Sequence, residues 1–214
     1  DRSLGVEQEE IFGLIGPNGA GKTTLLNVIA GVYSPNAGTI KFRGQDITGM
    51  TPEKVCRKGI ARTFQVSRRF AKMSALDNVV VAATFGNRDV VKNPRGLAEE
   101  MLEFVQFPMS KETLTKNLSA TQLKRLDLAR ALATDPELLL LDEPASGLTP
   151  SEVQDYMALF RRIRDKGITI IVVEHLMRMI MAICDRMLVL NYGEKIAVGT
   201  PDEIQKNHTV IDAY

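Results

Sequence analysis

Gly16-Pro-Asn-Gly-Ala-Gly-Lys-Thr23 matches G-x-x-x-x-G-K-[S/T] at every fixed position. The flanks carry the structural context this pattern needs. Glu10-Ile-Phe-Gly-Leu-Ile15 is a short apolar run that reads as a buried strand. Lys22 to Ala30 places apolar residues at helical spacing and stops before Gly31, a residue suited to the end of a helix. A glycine-rich turn from strand to helix presents backbone N–H groups and the positive end of a helix dipole to an anion. Gly16, Gly19 and Gly21 let the backbone close around phosphate, with Pro17, Asn18, Ala20 and Thr24 completing the cradle. Lys22 is expected to reach the outer phosphates, and Thr23 to place a hydroxyl on Mg²⁺.

The rest of the composition bounds the reading. A chain of 214 residues that is 44% apolar can bury a sizeable core as one domain. Lys and Arg number 27 against 26 for Asp and Glu, so charge gives no case for a nucleic-acid partner. Cys56 and Cys184 lie far apart with no C-x-x-C, and His175 and His208 are too few for a metal cluster. No apolar run reaches the roughly 18 residues that cross a bilayer, and no signal peptide is read, so a membrane role is expected to come through a partner.

Along the chain, Leu4 and Val6 with Ile11 to Ile15 suggest an N-terminal strand pair. Thr39 to Arg43 alternates like a half-exposed strand, Thr51-Pro52 opens a short helix that ends at Gly59, and Ile60 to Gln65 reads as a strand. Residues 66–134 read as a mostly helical insertion, with helices after Ser74, near Leu97 to Val105, and from Ala120 to Ala133. Leu138 to Leu141 and Ile168 to Val173 are apolar on both faces, as central parallel strands are. Ser151 is read as the cap of a long helix between them, and a strand at Met187 to Leu190 and a helix capped by Thr200 close the chain. Strands alternating with helices predict an α/β fold on a mostly parallel sheet.

Two further sites stand out at strand ends. Asp142-Glu143-Pro144 follows the Leu138 strand, so Asp142 is placed to hold Mg²⁺. Glu143, read as pointing to the opposite side of the strand, is placed to polarise a water. Alone, such a pair reads more readily as a solvated acidic turn, because acidic turns are common. The strand ending at Val173 delivers His175, which is either structural or a γ-phosphate contact. Leu118-Ser-Ala-Thr-Gln122 opens a helix, where Ser119 is either a plain N-cap or part of a second anion site.

In this order the residues resemble the nucleotide-binding subunit of an ABC transporter. The likeness rests on Walker A at Gly16–Thr23, a Q-loop at Thr63-Phe-Gln65, a signature at Leu118–Gln122, Walker B at Leu138–Asp142 with Glu143, a D-loop near Ser146-Gly-Leu148 and a switch at His175. Within that family the chain looks most like the branched-chain amino acid uptake ATPases and their amide and urea relatives, through Gly59–Gln65, Phe70–Val79 and Val210–Tyr214, which implies import of branched-chain amino acids or a related amide. The resemblance implies a single P-loop ATPase domain over residues 1–214. Residues 1–65 and 135–214 would form the core, with an antiparallel β part near the N-terminus, and residues 66–134 a helical subdomain. It implies ATP and Mg²⁺, with Lys22 and the loop on the phosphates, Thr23, Gln65 and Asp142 around the metal, Glu143 on the attacking water and His175 on the γ-phosphate. Ser119 would act in trans on ATP held by a second subunit. The implied setting is peripheral, on the cytoplasmic face of the inner membrane, with integral permease subunits docked at the Gln65 region and helical insertion, near Arg68, Arg69 and Phe70.

Departures from the family carry expectations of their own. Ala120 and Thr121 stand where the signature usually has two glycines, so slower hydrolysis is expected. The family's adenine-stacking aromatic has no counterpart before Phe12, so a chain extended at its N-terminus is expected to bind ATP more tightly. The stretch from Gln65 to Leu118 is shorter than the amino acid subgroup leads one to expect. A second reading, from another class, is a dimerising ATP-binding module with weak turnover. A third, a cassette of DNA repair or translation, is disfavoured by the missing heptads, the single cassette and the near-zero net charge.

Overall fold

The computed structural model describes residues 3–63 and 69–213, so Gln65 and Arg68 lie outside the described residues. The chain divides into two compact units: Asp1–Ile29 with Leu140–Tyr214, and Ala30–Leu139.

In the first unit, β1 (Ile11–Ile15) is followed by the phosphate loop and α1 (Lys22–Ile29). The strand β5 (Leu138–Asp142) enters this unit at Leu140, and α6 (Pro150–Arg164), β6 (Thr169–Val173), α7 (Met177–Ile183), β7 (Arg186–Asn191), β8 (Glu194–Gly199), α8 (Pro201–Gln205) and α9 (His208–Ala213) follow. The strand order is β5-β6-β1-β7-β8. β1 is parallel to β6, with Ile11 opposite Ile170 and Leu14 opposite Val173, and parallel to β7, with Leu14 opposite Leu188. Every residue of β1, β5 and β6 is buried, as expected of strands covered on both faces. This register brings the ends of β1 and β6 to one edge, where the phosphate loop and Glu174-His175 begin. β8 returns antiparallel to β7 through a turn at Tyr192 and Gly193, whose φ values are 47° and 78°.

Three expectations change here. Residues 3–10 form no strand; the carbonyls of Ser3 and Gly5 accept instead from the side chains of Lys195 and Arg186, and Glu9 turns the chain at φ 60°. The long helix is capped by Thr149, not Ser151. Thr149 and Glu152 form a reciprocal capping box with Pro150 in the first turn. The edge strand β8 was missing from the reading altogether.

In the second unit, β2 (Lys41–Phe42) and β3 (Gln45–Asp46) form a short antiparallel hairpin, the extent of the antiparallel part near the N-terminus. Next come α2 (Pro52–Arg57), capped at Thr51 as expected, and β4 (Ile60–Arg62). β4 neighbours β5, and the Gly59 carbonyl just before it accepts from the amides of Glu137 and Leu138 at 2.8 and 3.0 Å. Three mutually packed helices follow: α3 (Ala75–Phe85), α4 (Pro94–Phe104) and α5 (Ala120–Leu132). Each has a side-chain N-cap, from Ser74, Asn93 and Ser119. Asn78, fully buried on α3, accepts from the Phe70 amide at 2.9 Å and donates to the carbonyls of Phe70 and Ser74. This amide side chain pins the backbone at Phe70, whose own ring is exposed. Arg125 of α5 donates to the Val105 carbonyl at 2.8 Å and satisfies the end of α4.

Candidate nucleotide site

The phosphate loop uses its glycines differently at each position. Gly16 has φ +150°, and a Cβ there would come within 2.1 Å of the Leu190 carbonyl oxygen of β7. Only glycine fits so close a backbone approach. Gly19 and Gly21 have φ +80° and +99°, with space around them. The Gly193 amide of the β7–β8 turn donates to the Ala20 carbonyl at 3.0 Å, so the hairpin braces the loop from the side.

Lys22 begins α1 and is buried. Its Nζ donates to the carbonyls of Gly16 at 2.7 Å and Pro17 at 2.9 Å, folding the ammonium back over the loop. Burial pulls the Lys22 pKa below the usual lysine value, while the negative charges of Glu143 and Asp142 pull it back up. The cation, both carboxylates and the helix N-terminus therefore act on one another in a single small region.

Thr23 Oγ1 lies 3.3 Å from Asp142 Oδ1 and donates to it. Asp142 is the last residue of β5 and is buried. Glu143 has left the strand. Its φ is +49°, so the alternation of side chains along β5, on which the expectation that Glu143 points to the opposite side rested, no longer applies here. A glutamate in this region, directly before Pro144, holds an unfavourable backbone conformation of the kind that collects at functional sites. The twist lets adjacent carboxylates face different partners: Asp142 meets Thr23, and Glu143 Oε1 meets His175 Nε2 at 2.9 Å. The Glu143 amide donates to the Val173 carbonyl at 2.9 Å, which joins the ends of β5 and β6.

One residue at this edge escaped the sequence reading. Glu174 is only 4% exposed, and Glu174 Oε1 accepts from the Ala145 amide at 2.6 Å. The signal was present as a buried strand running directly into a carboxylate, but Ala145 lies 29 residues away in the chain.

Ser119 belongs to the second unit. Its hydroxyl accepts from the Gln122 amide at 3.3 Å, and Gln122 Oε1 accepts from the Ser119 amide at 2.9 Å. Within one chain Ser119 is thus a helix cap. Ala120 and Thr121 are the first two residues of α5, with Ser119 exposed beside them.

Oxygen donors dominate the region below the loop, as the hydroxyl of Thr23 and the carboxylate of Asp142 show. That set suits Mg²⁺ rather than a soft metal. Among the described residues there is no group of three or more His, Cys, Asp or Glu side chains that could hold a metal by themselves. A magnesium ion here would therefore draw most of its ligands from phosphate and water.

Comparison with known proteins finds relatives along nearly the whole chain. The family described as ABC transporter matches residues 1–146, and the family described as branched-chain amino acid ATP-binding cassette transporter matches residues 194–214. The chain is 38% identical to BraF of Pseudomonas aeruginosa, a high-affinity branched-chain amino acid transport ATP-binding protein, over 99% of this chain and 89% of that one. Its fold superposes on a nucleotide-free ATP-binding cassette of an ABC transporter with a TM-score of 0.88 at 27% identity, covering 99% of this chain and 90% of that one. A dimeric post-hydrolysis cassette bound to ADP and phosphate superposes with a TM-score of 0.84 at 25% identity, covering 92% and 88%. The chain belongs to the ABC transporter family, as one of its ATP-binding proteins.

Proposed function

We propose that this chain hydrolyses ATP in a dimer with a second cassette and passes the work to separate permease subunits that import branched-chain amino acids. The observation that carries the site assignment is the split of the Asp142–Glu143 pair, with Asp142 at 3.3 Å from Thr23 and Glu143 at 2.9 Å from His175. One carboxylate is committed to the metal side of the phosphates and the other to the water side. The substrate class rests on the likeness to BraF and on the C-terminal match at residues 194–214.

In this reading the amides of residues 16–23 and the α1 N-terminus hold the phosphates. Lys22 leaves the carbonyls of Gly16 and Pro17 for the β- and γ-phosphates, which supply the counter-charge that its burial lacks. Thr23, Asp142 and Gln65 would hold Mg²⁺, which when bound would supply positive charge against the phosphate oxygens. Glu143 orients the attacking water and draws off its proton. His175 holds Glu143 in place and contacts the γ-phosphate. Ser119 and the first turn of α5 close over ATP bound to the partner subunit.

The permease meets the second unit. A cavity of about 250 Å³ there is lined by Val32, Cys56, Ile60, Ala82, Arg130 and Thr134 among others, and would take an apolar side chain of a permease helix. Phe70, in the same unit, is 49% exposed. No helix among the described residues is long and apolar enough to cross a membrane, so we place the chain at the membrane through that contact.

Phosphate release at saturating Mg-ATP tests the assignment. Glu143→Gln is expected to lose at least ~100-fold in kcat while ATP binding persists. Undiminished release from that variant would refute it. A weak-turnover module is the second reading, favoured by the half-buried, β-branched Thr121 in the first turn of α5.

A further inference from the structure

We infer that Glu174 is a positioning residue, which holds Glu143 and His175 in register by tying together the two loops that carry them. It rests on the reading of Glu143 and His175 as the hydrolytic pair. Segments 143–145 and 173–175 are laced by three bridging contacts. The Glu143 amide donates to the Val173 carbonyl at 2.9 Å. The Ala145 amide donates to Glu174 Oε1 at 2.6 Å. His175 Nε2 and Glu143 Oε1 lie 2.9 Å apart. A fourth contact runs within the second segment, where the His175 amide donates to Glu174 Oε2 at 3.2 Å.

The carboxylate therefore uses its two oxygens on the backbones of the two loops. One fixes the chain two residues after Glu143, and the other fixes the chain at His175 itself. Charge-assisted bonds from amides to a buried carboxylate are short and strong, as the 2.6 Å contact to Ala145 illustrates. Both bonds need acceptors. Glutamine at this position offers one acceptor and one NH₂ group, so one of the two amides would face a donor. A φ of +49° is strained for a glutamate, and the ties to residues 173–175 add restraint to the local bond from the Ser146 amide to the Glu143 carbonyl at 3.2 Å. Glu174 also anchors the start of the turn Ala145–Leu148, whose Ser146 and Gly147 are exposed. A disturbance of that turn is thereby passed through Glu174 to the His175–Glu143 pair.

The experiment is a double-mutant cycle on ATP hydrolysis, with thermal unfolding recorded for every variant. Glu174→Gln is expected to lower kcat on the order of 10–100-fold with KM for ATP unchanged, since loosened geometry costs rate while the phosphate loop is untouched. Glu174→Asp keeps both acceptors on a shorter stem and is expected to fall between Gln and the parent. In a His175→Ala background Glu174→Gln should have little further effect, because its action runs through that pair. An unchanged kcat in a folded Glu174→Gln variant overturns the inference. So does a rise in KM equal to the fall in kcat, or a full multiplicative effect in the His175→Ala background. Full activity of Glu143→Gln would instead sink the underlying reading of the pair, whatever Glu174 does.

Discussion

Replacing Gly16 by alanine separates two uses of glycine in the phosphate loop, close approach and positive φ. The added Cβ would stand 2.1 Å from the Leu190 carbonyl oxygen, and 3.1 Å from both the Leu190 carbonyl carbon and the Ala20 Cβ. The oxygen belongs to β7, which is hydrogen-bonded between β1 and β8 and has little room to move. Overpacking of this kind costs roughly 1–3 kcal/mol. A backbone held in a sparsely populated region costs roughly another 1–3 kcal/mol. The expected loss is about 2–6 kcal/mol, out of a total stability of about 5–15 kcal/mol for a natural domain. For a chain of this size that lowers Tm by about 5–20 °C. Gly19→Ala is the internal control, because its φ is +80° but a Cβ there meets nothing within 4 Å. It should cost only the conformational part, roughly 1–2 kcal/mol. Scanning calorimetry without nucleotide, followed by ATP titration, reads both effects. Gly16→Ala is expected to melt well below Gly19→Ala, and Gly19→Ala to show its larger defect in ATP affinity. Equal melting temperatures for Gly16→Ala and the parent would refute the close-approach argument.

Other consequences follow from single residues. The N-cap of α7 is Leu176, which offers no side-chain bond to the helix, so Leu176→Ser should add about 1 kcal/mol in urea unfolding; no gain would show that the orphan amides are already satisfied. Burial pushes the thiols of Cys184 and Cys56 above their ordinary value. Iodoacetamide at pH 8 should therefore label the native protein far more slowly than the urea-unfolded chain. The same shift makes folding favour the protonated thiols, so their contribution to stability falls as pH rises above the unfolded thiol value of about 8.5. Equal labelling rates in the two states would contradict the burial of Cys184 and the partial burial of Cys56. Thr121→Gly, at the second position of α5, should raise kcat by relieving bulk beside Ser119; an unchanged rate would count against the signature argument.

The phosphate loop was legible because its chemistry fixes glycines and a lysine at set spacings, and the strands β1, β5 and β6 because each is apolar throughout. The errors have local physical causes. Thr149 and Ser151 are both competent caps, and what decides between them is Pro150 in the first turn and Glu152 reaching back to the Thr149 amide. β8 hid because Glu194 to Gly199 is a partly exposed edge strand, announced by a turn whose first position is Tyr192 at positive φ, where glycine, asparagine or aspartate is usual, with Gly193 only at the second. Leu4 and Val6 have apolar side chains a strand could bury, but the carbonyls of Ser3 and Gly5 are held by distant side chains, and backbone bonding to β6 begins only at Glu10, whose carbonyl accepts from the Ile170 amide. The orientation of Glu143 was not readable, since a non-glycine at φ +49° before a proline contradicts local preference and is imposed by the surroundings. Glu174 was missed because its meaning depends on Ala145, which only the folded sheet brings near.

The account stands most directly on whether ATP joins two copies of this chain. Light scattering of Glu143→Gln, with and without Mg-ATP, measures this with hydrolysis blocked. An ATP-dependent shift from 23.7 kDa to twice that mass is the predicted result, with the shift lost on adding Ser119→Arg. A mass that stays at the single-chain value at saturating ATP would contradict a dimer of two copies of this chain and leave a different cassette as the only second subunit the account allows.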